Sequence, residues 1–200
     1  MQAKGAPPLI LLRRETRLSP WSKLIERTVQ LPHVNEPQSF HTIHQDDSAV
    51  ILGVTKDRLV PLVRQYRPAL ERHTVELPSG AIHAGETPYD AALRELAEEV
   101  GLCPAISGAD LSVRLLGSCE ADSGRLEAKL WCFLVHDLVP ISRWQPEPGI
   151  ERLLIRAEEL PILVAQGSFC VASHLGALAL AIFAGAWSMF GDKPDARPES

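Results

Sequence analysis

The segment from Thr87 to Gly101, TPYDAALRELAEEVG, constrains the fold more than any other part of the sequence. Threonine often caps the start of a helix, proline suits the first helical position, and glycine suits the left-handed position after the last turn. Between these two ends, apolar side chains recur at helical spacing, at Tyr89, Leu93, Leu96 and Val100. The pattern therefore predicts a helix over residues 88–100 with one face on a core.

Runs rich in β-forming residues lie on both sides of this predicted helix. They occupy residues 9–12, 21–31, 39–44, 49–54 and 59–66 before it, and residues 112–117, 126–135 and 153–155 after it. Residues 55–58, TKDR, predict a hairpin turn between two of these runs. Two further helices are expected over about 157–166 and 171–189. Mixed strands and helices favour an α/β layered domain over a helical bundle or an all-β sandwich.

The overall charge limits the ligands that the chain is expected to bind. Its 200 residues carry a net charge of -5, and 46% of them are hydrophobic, which is enough for the core of one domain. Nothing in this charge suggests a surface for nucleic acid. A protein of this kind that handles a phosphate-rich small molecule needs local positive charge, and metal ions are the usual source.

The cysteines and the start of the chain bear on the compartment. Cys103, Cys119, Cys132 and Cys170 form no C-x-x-C pair, and residues 1–8 lack the long apolar region of a secretory signal. Reduced thiols in the cytoplasm are therefore expected.

One long apolar run lies near the end of the sequence. Residues 175–190 are nearly all apolar, but 16 residues fall short of the roughly 20 that a bilayer span needs. We therefore expect a buried or interface helix and no membrane partner.

Three acidic residues share one face of the predicted helix. Glu95, Glu98 and Glu99 are separated by three and four residues, which places them on one side. Three carboxylates there repel one another, and a hard cation such as Mg²⁺ would neutralise them. Arg94, four residues before Glu98, can neutralise part of the cluster. The alternative is a solvated helix face, which is the usual meaning of a glutamate run on a helix.

The complete spacing from Gly80 to Leu102 resembles the Nudix box. Gly80 is followed after five residues by Glu86, and after seven more by the run R-E-L-x-E-E-x-G-L. The resemblance implies a Nudix hydrolase, an α/β/α sandwich with a mixed sheet and N-terminal antiparallel strands. Its loop-helix-loop box would hold Mg²⁺ or Mn²⁺, which would clamp diphosphate oxygens and lower the pKa of a bound water.

The same resemblance implies roles for individual residues of the box. The residues that match metal ligands are Ser79, through its backbone carbonyl, Glu95, Glu98 and Glu99. Glu98 is also expected to take part in catalysis. The residues that match supporting partners of the box are Gly80, Glu86 and Arg94.

The segments outside the box resemble those of ADP-sugar diphosphatases. The likeness is carried by WSKLIER at residues 21–27, VRQYRP at 63–68 and ELPSG at 76–80. In that family the N-terminal strands reach across a homodimer and help to build the partner's site. The resemblance thus implies a dimerisation and substrate-binding extension over residues 1–45, a Nudix domain over 46–190 and a flexible tail over 191–200.

Three residues of the chain match substrate-binding positions away from the phosphates. Trp21 and Phe40 match aromatic residues that sandwich the adenine in some members, although both side chains equally suit a core or an interface. Glu127 matches an acid near the substrate in relatives. The surrounding residues 117–127 lack the Ser-Pro-Gly stretch that is frequent in ADP-ribose enzymes, which leaves the terminal group of the substrate open.

The remaining candidates concern the phosphates and the proton of the attacking water. Arg67 matches an arginine that contacts the phosphates, and the alternative is an ion pair with Glu71 or Glu76. Glu147 and Glu151 both lie where family members carry a loop acid that acts as a general base or metal ligand. The alternative for each is an exposed loop acid.

These patterns predict a cytoplasmic, homodimeric Nudix hydrolase that binds a small nucleotide. The expected reaction is metal-dependent hydrolysis of the diphosphate bond of ADP-ribose or a related nucleotide sugar, giving a nucleoside monophosphate and a sugar phosphate. One alternative is another nucleoside diphosphate derivative, such as a dinucleotide or coenzyme A. The other is a non-catalytic nucleotide-binding Nudix domain. His41, His44 and His83 lack metal-ligand spacing and are expected to be structural or exposed.

Overall fold

A computed structural model describes residues 7–105 and 112–187. Within these ranges the chain divides into two compact units. The N-terminal unit consists of the described residues up to Asp46 together with Glu120–Ala128, and the larger unit consists of the described residues of Asp47–Cys119 and those from Lys129 onward. The N-terminal unit therefore differs from the predicted extension over 1–45 by including a later segment. The predicted tail lies outside the described residues.

The N-terminal unit is built on a three-stranded antiparallel sheet. Its strands β1 (Leu9–Arg17), β2 (Ser22–Gln30) and β3 (Gln38–Gln45) lie in the order β1-β2-β3. Leu126 of the later segment forms a parallel bridge to Ile43. The predicted N-terminal antiparallel strands are thus confirmed. Every residue of β1 is exposed.

Two sheets form the larger unit. The first joins β7 (Ser79–Ala81), β4 (Ser48–Thr55), β10 (Lys129–Pro140) and β8 (Leu102–Pro104) in that order, with β9 (Val113–Glu120) also paired to β10. The second has the order β11 (Ile150–Arg156), β5 (Leu59–Arg67) and β6 (Arg72–Glu76). β4 and β10 run parallel, whereas β7 pairs antiparallel with β4 and β8 pairs antiparallel with β10. The first sheet is therefore mixed, as predicted.

Three α-helices lie in the described part of the chain. The first, α1, spans Pro88–Val100, as its end signals predicted. The helix expected over 157–166 is instead a 3₁₀ turn at Ala157–Glu159 followed by α2 (Leu160–Ala165), with Pro161 in its first turn. The last helix, α3, spans Ala172–Phe183. None of the helices in residues 7–105 and 112–187 combines the length and apolarity that crossing a bilayer requires.

Helices cover opposite faces of the first sheet. Ala49 and Ile51 of β4 share a buried cluster with the apolar residues of α1. Val50 and Leu52 share another buried cluster with residues of α3. Because successive side chains of a strand point to opposite faces, the two helices lie on either side of β4. The predicted α/β/α sandwich is therefore confirmed.

The predicted hairpin at residues 55–58 is wrong. The turn itself forms, because Arg58 N donates to Thr55 O at 3.0 Å and Arg58 has a φ of 60°. The strands on its two sides belong to different sheets, since β4 pairs with β7 and β10, whereas β5 pairs with β6 and β11. Both edges of β4 are occupied by strands from elsewhere in the chain, so the turn connects two layers.

Candidate active site

The helix that carries the acidic residues is fixed at both ends. Thr87 Oγ1 accepts a hydrogen bond from Asp90 N at 3.1 Å. At the other end Gly101 has a φ of 63° and donates to Ala97 O at 3.2 Å, and glycine adopts this left-handed conformation without strain. These caps set the register of α1 and thereby the direction of each glutamate.

Glu95 and Glu99 are buried, whereas their neighbour Glu98 is not. The exposed fractions are 8% for Glu95 and 4% for Glu99, against 52% for the Glu98 side chain. A solvated helix face is therefore the wrong interpretation for the first two. Burying an ionised carboxylate is costly unless it is paired or hydrogen-bonded, so this face of α1 needs compensating charge.

Glu95 lies directly against the backbone of Gly80. A β-carbon at position 80 would sit 1.9 Å from Glu95 Oε1 and 2.2 Å from the carboxyl carbon. Any side chain at this position must therefore displace the carboxylate. Gly80 pairs with Ala49 of β4, which limits how far its backbone can withdraw.

Burial changes the acidity of the two enclosed carboxyl groups. It raises the pKa of Glu99 to about 8, against the opposing effect of a hydrogen bond from Ser79 N at 2.8 Å. The charges of Glu95 and Glu147 add to this increase. Burial likewise raises the pKa of Glu95. Burial thus shifts both groups towards the neutral form, and additional positive charge beside them would shift them back towards the ionised form.

Arg94 donates hydrogen bonds to several carboxylates of the box and to one backbone carbonyl. Its guanidinium donates to Glu86 at 2.8 and 3.1 Å, to Glu95 at 2.6 Å and to Glu98 at 3.0 Å. It also reaches Ala81 O at 2.9 Å, so it ties the loop before α1 to the helix. Hydrogen bonds from Arg94 hold the pKa of Glu86 at about 2. The structure thus brings together the residues that the resemblance identified as supports of the box.

The four predicted metal ligands lie near one another but make other contacts. Glu95 and Glu98 both face Arg94, and Glu99 faces the backbone N–H of Ser79. Among the described residues, no three histidine, cysteine, aspartate or glutamate side chains converge as a preformed cation site. Arg94 supplies the charge that offsets the acids in this arrangement.

The two predicted loop acids lie in different surroundings. Glu147 is exposed in the segment before β11, and its charge raises the pKa of both Glu95 and Glu99. Glu151 lies in β11 opposite Arg64 and forms a surface ion pair with it at 3.2 Å. Glu147 is therefore within electrostatic range of the buried pair, whereas Glu151 is engaged on the second sheet.

Arg67 forms the ion pair with Glu76 that was its alternative interpretation. Its Nε and Nη2 donate to the two carboxylate oxygens at 2.8 and 2.5 Å, and Glu76 is 1% exposed. Burial opposes ionisation of Glu76, but hydrogen bonds from Arg67 and Thr74 outweigh it and hold its pKa below the usual range. The Arg67 side chain stays 41% exposed, and its contact with phosphates remains a prediction.

The two aromatic candidates are exposed and far apart within one chain. Trp21 is 75% exposed and Phe40 43% exposed. Phe40 lies opposite Arg27 of β2, and the six residues from Trp21 to Arg27 span roughly 20 Å of strand. One chain therefore cannot stack both side chains on the same base.

Glu127 is held inside the N-terminal unit. It accepts hydrogen bonds from Arg27 at 2.5 Å and from Thr42 Oγ1, and its carboxylate lies 3.9 Å from His44 Nδ1. The hydrogen bond from Arg27 contributes most to lowering its pKa to about 2. The carboxylate is thus a paired anion, and its predicted contact with substrate is untested.

A buried histidine was missed by the sequence reasoning. His174 of α3 is 5% exposed, and its Nδ1 accepts a hydrogen bond from Leu77 N at 3.0 Å. Its Nε2 lies 3.6 Å from the buried Glu76. Burial lowers the pKa of His174 to about 4. The one available signal was a lone histidine at the start of an otherwise apolar helix.

Two further residues that were missed lie at the C-terminal end of α1. Trp144 Nε1 donates to Glu98 O at 2.9 Å, and Arg152 Nη1 donates to Val100 O at 2.9 Å. The guanidinium of Arg152 also lies over the Trp144 ring, 4.5 Å from its centroid. A helix leaves its last carbonyls without intrahelical partners, and these side chains supply them. No sequence signal pairs them, because the acceptors lie 46 and 52 residues away.

Comparison with known proteins places this geometry in a family. Residues 44–174 match the family model described as the NUDIX domain. The chain belongs to this family. The Nudix region so matched contains β4, the acidic helix α1, the loop with Glu147 and the start of α3.

Several named relatives share sequence with this Nudix chain. It is 43% identical over 140 residues to an ADP-ribose pyrophosphatase of Mycobacterium tuberculosis, covering 62% of this chain and 64% of the relative. It is 52% identical over 92 residues to an ADP-sugar pyrophosphatase of Mus musculus, covering 40% and 42%. An ADP-ribose pyrophosphatase of Bacillus subtilis is 37% identical over 73 residues, covering 36% and 39%. The chain thus spans less than two thirds of each relative's length.

A solved structure shares the fold. The crystal structure of an ADP compounds hydrolase superposes with a TM-score of 0.75 and covers 93% of this chain and 100% of its own. Sequence identity between the two is 21%, so this likeness establishes the Nudix architecture alone.

Proposed function

We propose that this chain hydrolyses the diphosphate bond of ADP-ribose or a related nucleotide sugar and releases a nucleoside monophosphate and a sugar phosphate. The observation that carries the proposal is the pair of buried carboxyl groups, Glu95 and Glu99, on one face of α1. Relatives named as ADP-ribose and ADP-sugar pyrophosphatases support the substrate class.

The donor chemistry of this face fits a hard divalent cation, Mg²⁺ or Mn²⁺. Burial raises the pKa of Glu95 and Glu99, and positive charge nearby favours the ionised form of each. The proposed ligands are the Ser79 carbonyl, Glu95, Glu98 and Glu99. To bind the cation, Glu95 and Glu98 would release the hydrogen bonds that they accept from Arg94. A cation held by these residues would neutralise charge on the diphosphate and lower the pKa of a bound water.

The chain's own residues orient the substrate and accept a proton. Glu147 is the proposed general base, because it is the loop acid whose charge reaches the buried pair, and a carboxylate so placed can take the proton of the attacking water. We prefer it to Glu151, which is paired with Arg64. Arg67, which donates two hydrogen bonds to the buried carboxylate of Glu76, presents a fixed guanidinium to the phosphates.

A homodimer is part of the proposal because the nucleoside end of the site needs two chains. Trp21 and Phe40 are exposed and lie roughly 20 Å apart along the sheet. A base stacked between them therefore takes one aromatic residue from each chain. Glu127, oriented by Arg27, is proposed to lie near the bound substrate.

The test is a substrate panel with Mg²⁺, with Mn²⁺ and with metal-free protein. The panel contains nucleotide sugars, dinucleotides, coenzyme A and nucleoside triphosphates. We expect AMP to be released from ADP-ribose or an ADP-sugar only when metal is added. Release of no monophosphate from any compound would reject the enzymatic proposal, and equal turnover by metal-free protein would reject the metal role.

A second candidate is hydrolysis of another nucleoside diphosphate derivative, or of a nucleoside triphosphate. A segment of the chain is 33% identical over 87 residues to a protein named 8-oxo-dGTP diphosphatase, and residues 117–127 lack the Ser-Pro-Gly stretch. A preference in the panel for a dinucleotide, coenzyme A or a triphosphate would change the substrate and keep the metal chemistry. Nucleotide binding by calorimetry without cleavage would instead indicate a non-catalytic Nudix domain.

We also propose a cytoplasmic location, without nucleic-acid or membrane partners. The net charge of -5 supports this, and so does the absence of any disulfide in the described ranges, which contain all four cysteines. Cell fractionation tests the location, and recovery in a membrane or nucleic-acid fraction would contradict it.

A further inference from the structure

The segment that carries Glu147 is attached to α1 at the end where that helix presents its last carbonyls. Trp144 lies three residues before Glu147 and donates to Glu98 O at 2.9 Å. Ile141 N donates to Gly101 O at 2.9 Å, just before the same segment. The chain thus contacts the end of the acidic helix before it reaches Glu147.

The Trp144 ring packs against the glycine that ends the helix. A β-carbon at Gly101 would lie 2.4 Å from two ring carbons, well inside van der Waals contact. The indole therefore occupies the space that any other residue at this position would need. The ring therefore packs closely against the backbone of Gly101.

Arg152 attaches the segment from its other side. It lies in β11, five residues after Glu147, and donates to Val100 O at 2.9 Å. Its guanidinium stacks on the Trp144 ring at 4.5 Å, so the two attachment points also contact each other. Glu147 itself is exposed, and the turn that follows it is closed by Ile150 N donating to Glu147 O at 3.1 Å.

We propose that Trp144 and Arg152 are positioning residues that fix Glu147 relative to Glu95 and Glu99. Both side chains hold the carbonyls of the same helical turn that carries Glu98 and Glu99. The loop acid and the helix acids therefore keep one geometry, and a rigid indole with a planar guanidinium suits this task. The catalytic consequence rests on the proposed function, whereas the attachment of the segment does not.

Three variants test the attachment. Trp144→Phe keeps an aromatic ring over Gly101 but removes the N–H donor, Trp144→Ala removes both, and Arg152→Met removes the guanidinium while keeping an unbranched side chain. Arg143→Met is the matched control, because Arg143 is an exposed residue of the same segment. Thermal melting of each variant identifies any that fails to fold.

The readouts are amide hydrogen exchange over residues 141–151 and steady-state kinetics on the best substrate of the panel. We expect Trp144→Ala and Arg152→Met to increase exchange in this segment and to lower kcat by about 10- to 100-fold, with KM changed far less, because small displacements of a catalytic group are costly. Trp144→Phe should show a smaller loss. Arg143→Met should match the wild type in both readouts.

A double-variant cycle with Gly101→Ala adds a readout that simple destabilisation would not produce. In the wild type the added methyl group meets the Trp144 ring, whereas in Trp144→Ala that contact is gone and backbone strain alone remains. We expect the kcat penalty of Gly101→Ala to be smaller in the Trp144→Ala background.

Two results would overturn the inference. One is unchanged exchange over residues 141–151 in Trp144→Ala and Arg152→Met. The other is increased exchange with unchanged kcat, or with losses that Arg143→Met shares. A wild type that cleaves nothing rejects the proposed function, and the exchange measurement then decides the attachment by itself.

Discussion

Glu98 and Glu99 are neighbours in sequence, yet Glu98 is exposed and Glu99 is buried. Glu98 points to solvent and Arg94, while Glu99 is enclosed and receives the N–H of Ser79. Burial dominates the acidity of Glu99, whose pKa rises to about 8. A buried carboxyl group of this kind weakens the metal-free fold when it ionises, and it gains most from a bound cation.

Replacing Glu99 by glutamine should separate stability from activity. The folded-state pKa of Glu99 is raised, so the folded protein binds more protons than the unfolded chain from about pH 4.5 to about pH 8, and metal-free stability falls as the pH rises through this window. Glu99→Gln removes that fall and should be more stable than the metal-free wild type at pH 8–9. Hydrolysis should drop by about 100-fold or more, since several kcal/mol of charge stabilisation is lost.

Denaturant titrations across this pH range and steady-state rates measure both effects. Glu158→Gln is the control, because this exposed acid pairs with Arg58 away from α1. Unchanged hydrolysis by Glu99→Gln would contradict the metal role of this residue.

Gly80→Ala should impair the site with little effect on the fold. The new methyl group would fall 1.9 Å from Glu95 Oε1, and a side-chain carboxylate moves more easily than a backbone. We expect a melting temperature close to that of the wild type, and a higher Mn²⁺ concentration for half-maximal activity.

Gly176→Ala is the matched control for this change. Gly176 lies in α3, and a β-carbon there would make an ordinary contact of 3.7 Å with Cys119 Sγ of β9. Alanine inside a helix is favoured over glycine by about 0.5–1 kcal/mol. A Gly80→Ala protein with unchanged metal dependence would show that Glu95 has room to move without consequence.

At the scale of elements, the sequence predicted the helix whose ends are determined by residues next to it in the chain. The caps of α1 lie within the helix sequence, and the structure shows that helix at the predicted residues. Short strands such as β7 and β8, three residues each, have too few side chains for an alternation pattern and were missed. The contacts of Trp144, Arg152 and His174 join residues 46 to 97 positions apart, so no periodicity could reveal them.

The hydrogen bond between α3 and Leu77, the residue after β6, should make stability depend on pH. His174 accepts the Leu77 N–H at Nδ1 and is buried, so protonation at Nδ1 must break that bond and charge a buried ring. Its pKa of about 4 lies below the ordinary 6.5. The unfolded chain therefore binds more protons between these values, and the His174 contribution is complete above pH 6.5 and is lost as the pH falls towards 4.

Urea titrations of the wild type and His174→Gln from pH 7.5 to 4 test this link. The difference between the two stabilities should shrink as the pH falls, by an amount on the order of 3 kcal/mol over the whole window. Glu99 titrates in both proteins, so its contribution cancels in the difference. The exposed His33 provides the control variant His33→Gln. Parallel curves for His174→Gln and the wild type would refute this expectation.

At the scale of the whole molecule, the N-terminal sheet has an edge that suits a second copy. β1 lies at the edge of the order β1-β2-β3, and its residues Leu9, Ile10, Leu11 and Leu12 are 42–62% exposed. An exposed apolar edge strand is a template for pairing with another chain. Charged residues at this edge, as in the double variant Ile10→Lys with Leu12→Lys, should therefore shift the protein towards a monomer of 21.9 kDa.

Subunit mixing tests whether two chains share one base-binding site. Trp21→Ala and Phe40→Ala should each lose activity, mainly through a higher KM, because each removes one face of the stack. If every site takes Trp21 from one chain and Phe40 from the other, a mixed dimer of the two variants has one site with both defects and one intact site. When the two variants are refolded together in equal amounts, half of the dimers are mixed, so about a quarter of the sites should regain wild-type KM.

The same mixture made in the Ile10→Lys, Leu12→Lys background should recover no activity, because those chains no longer pair. If the mixture regained no activity, Trp21 of one chain and Phe40 of the other would not belong to the same site, because every site would then keep one of the two defects.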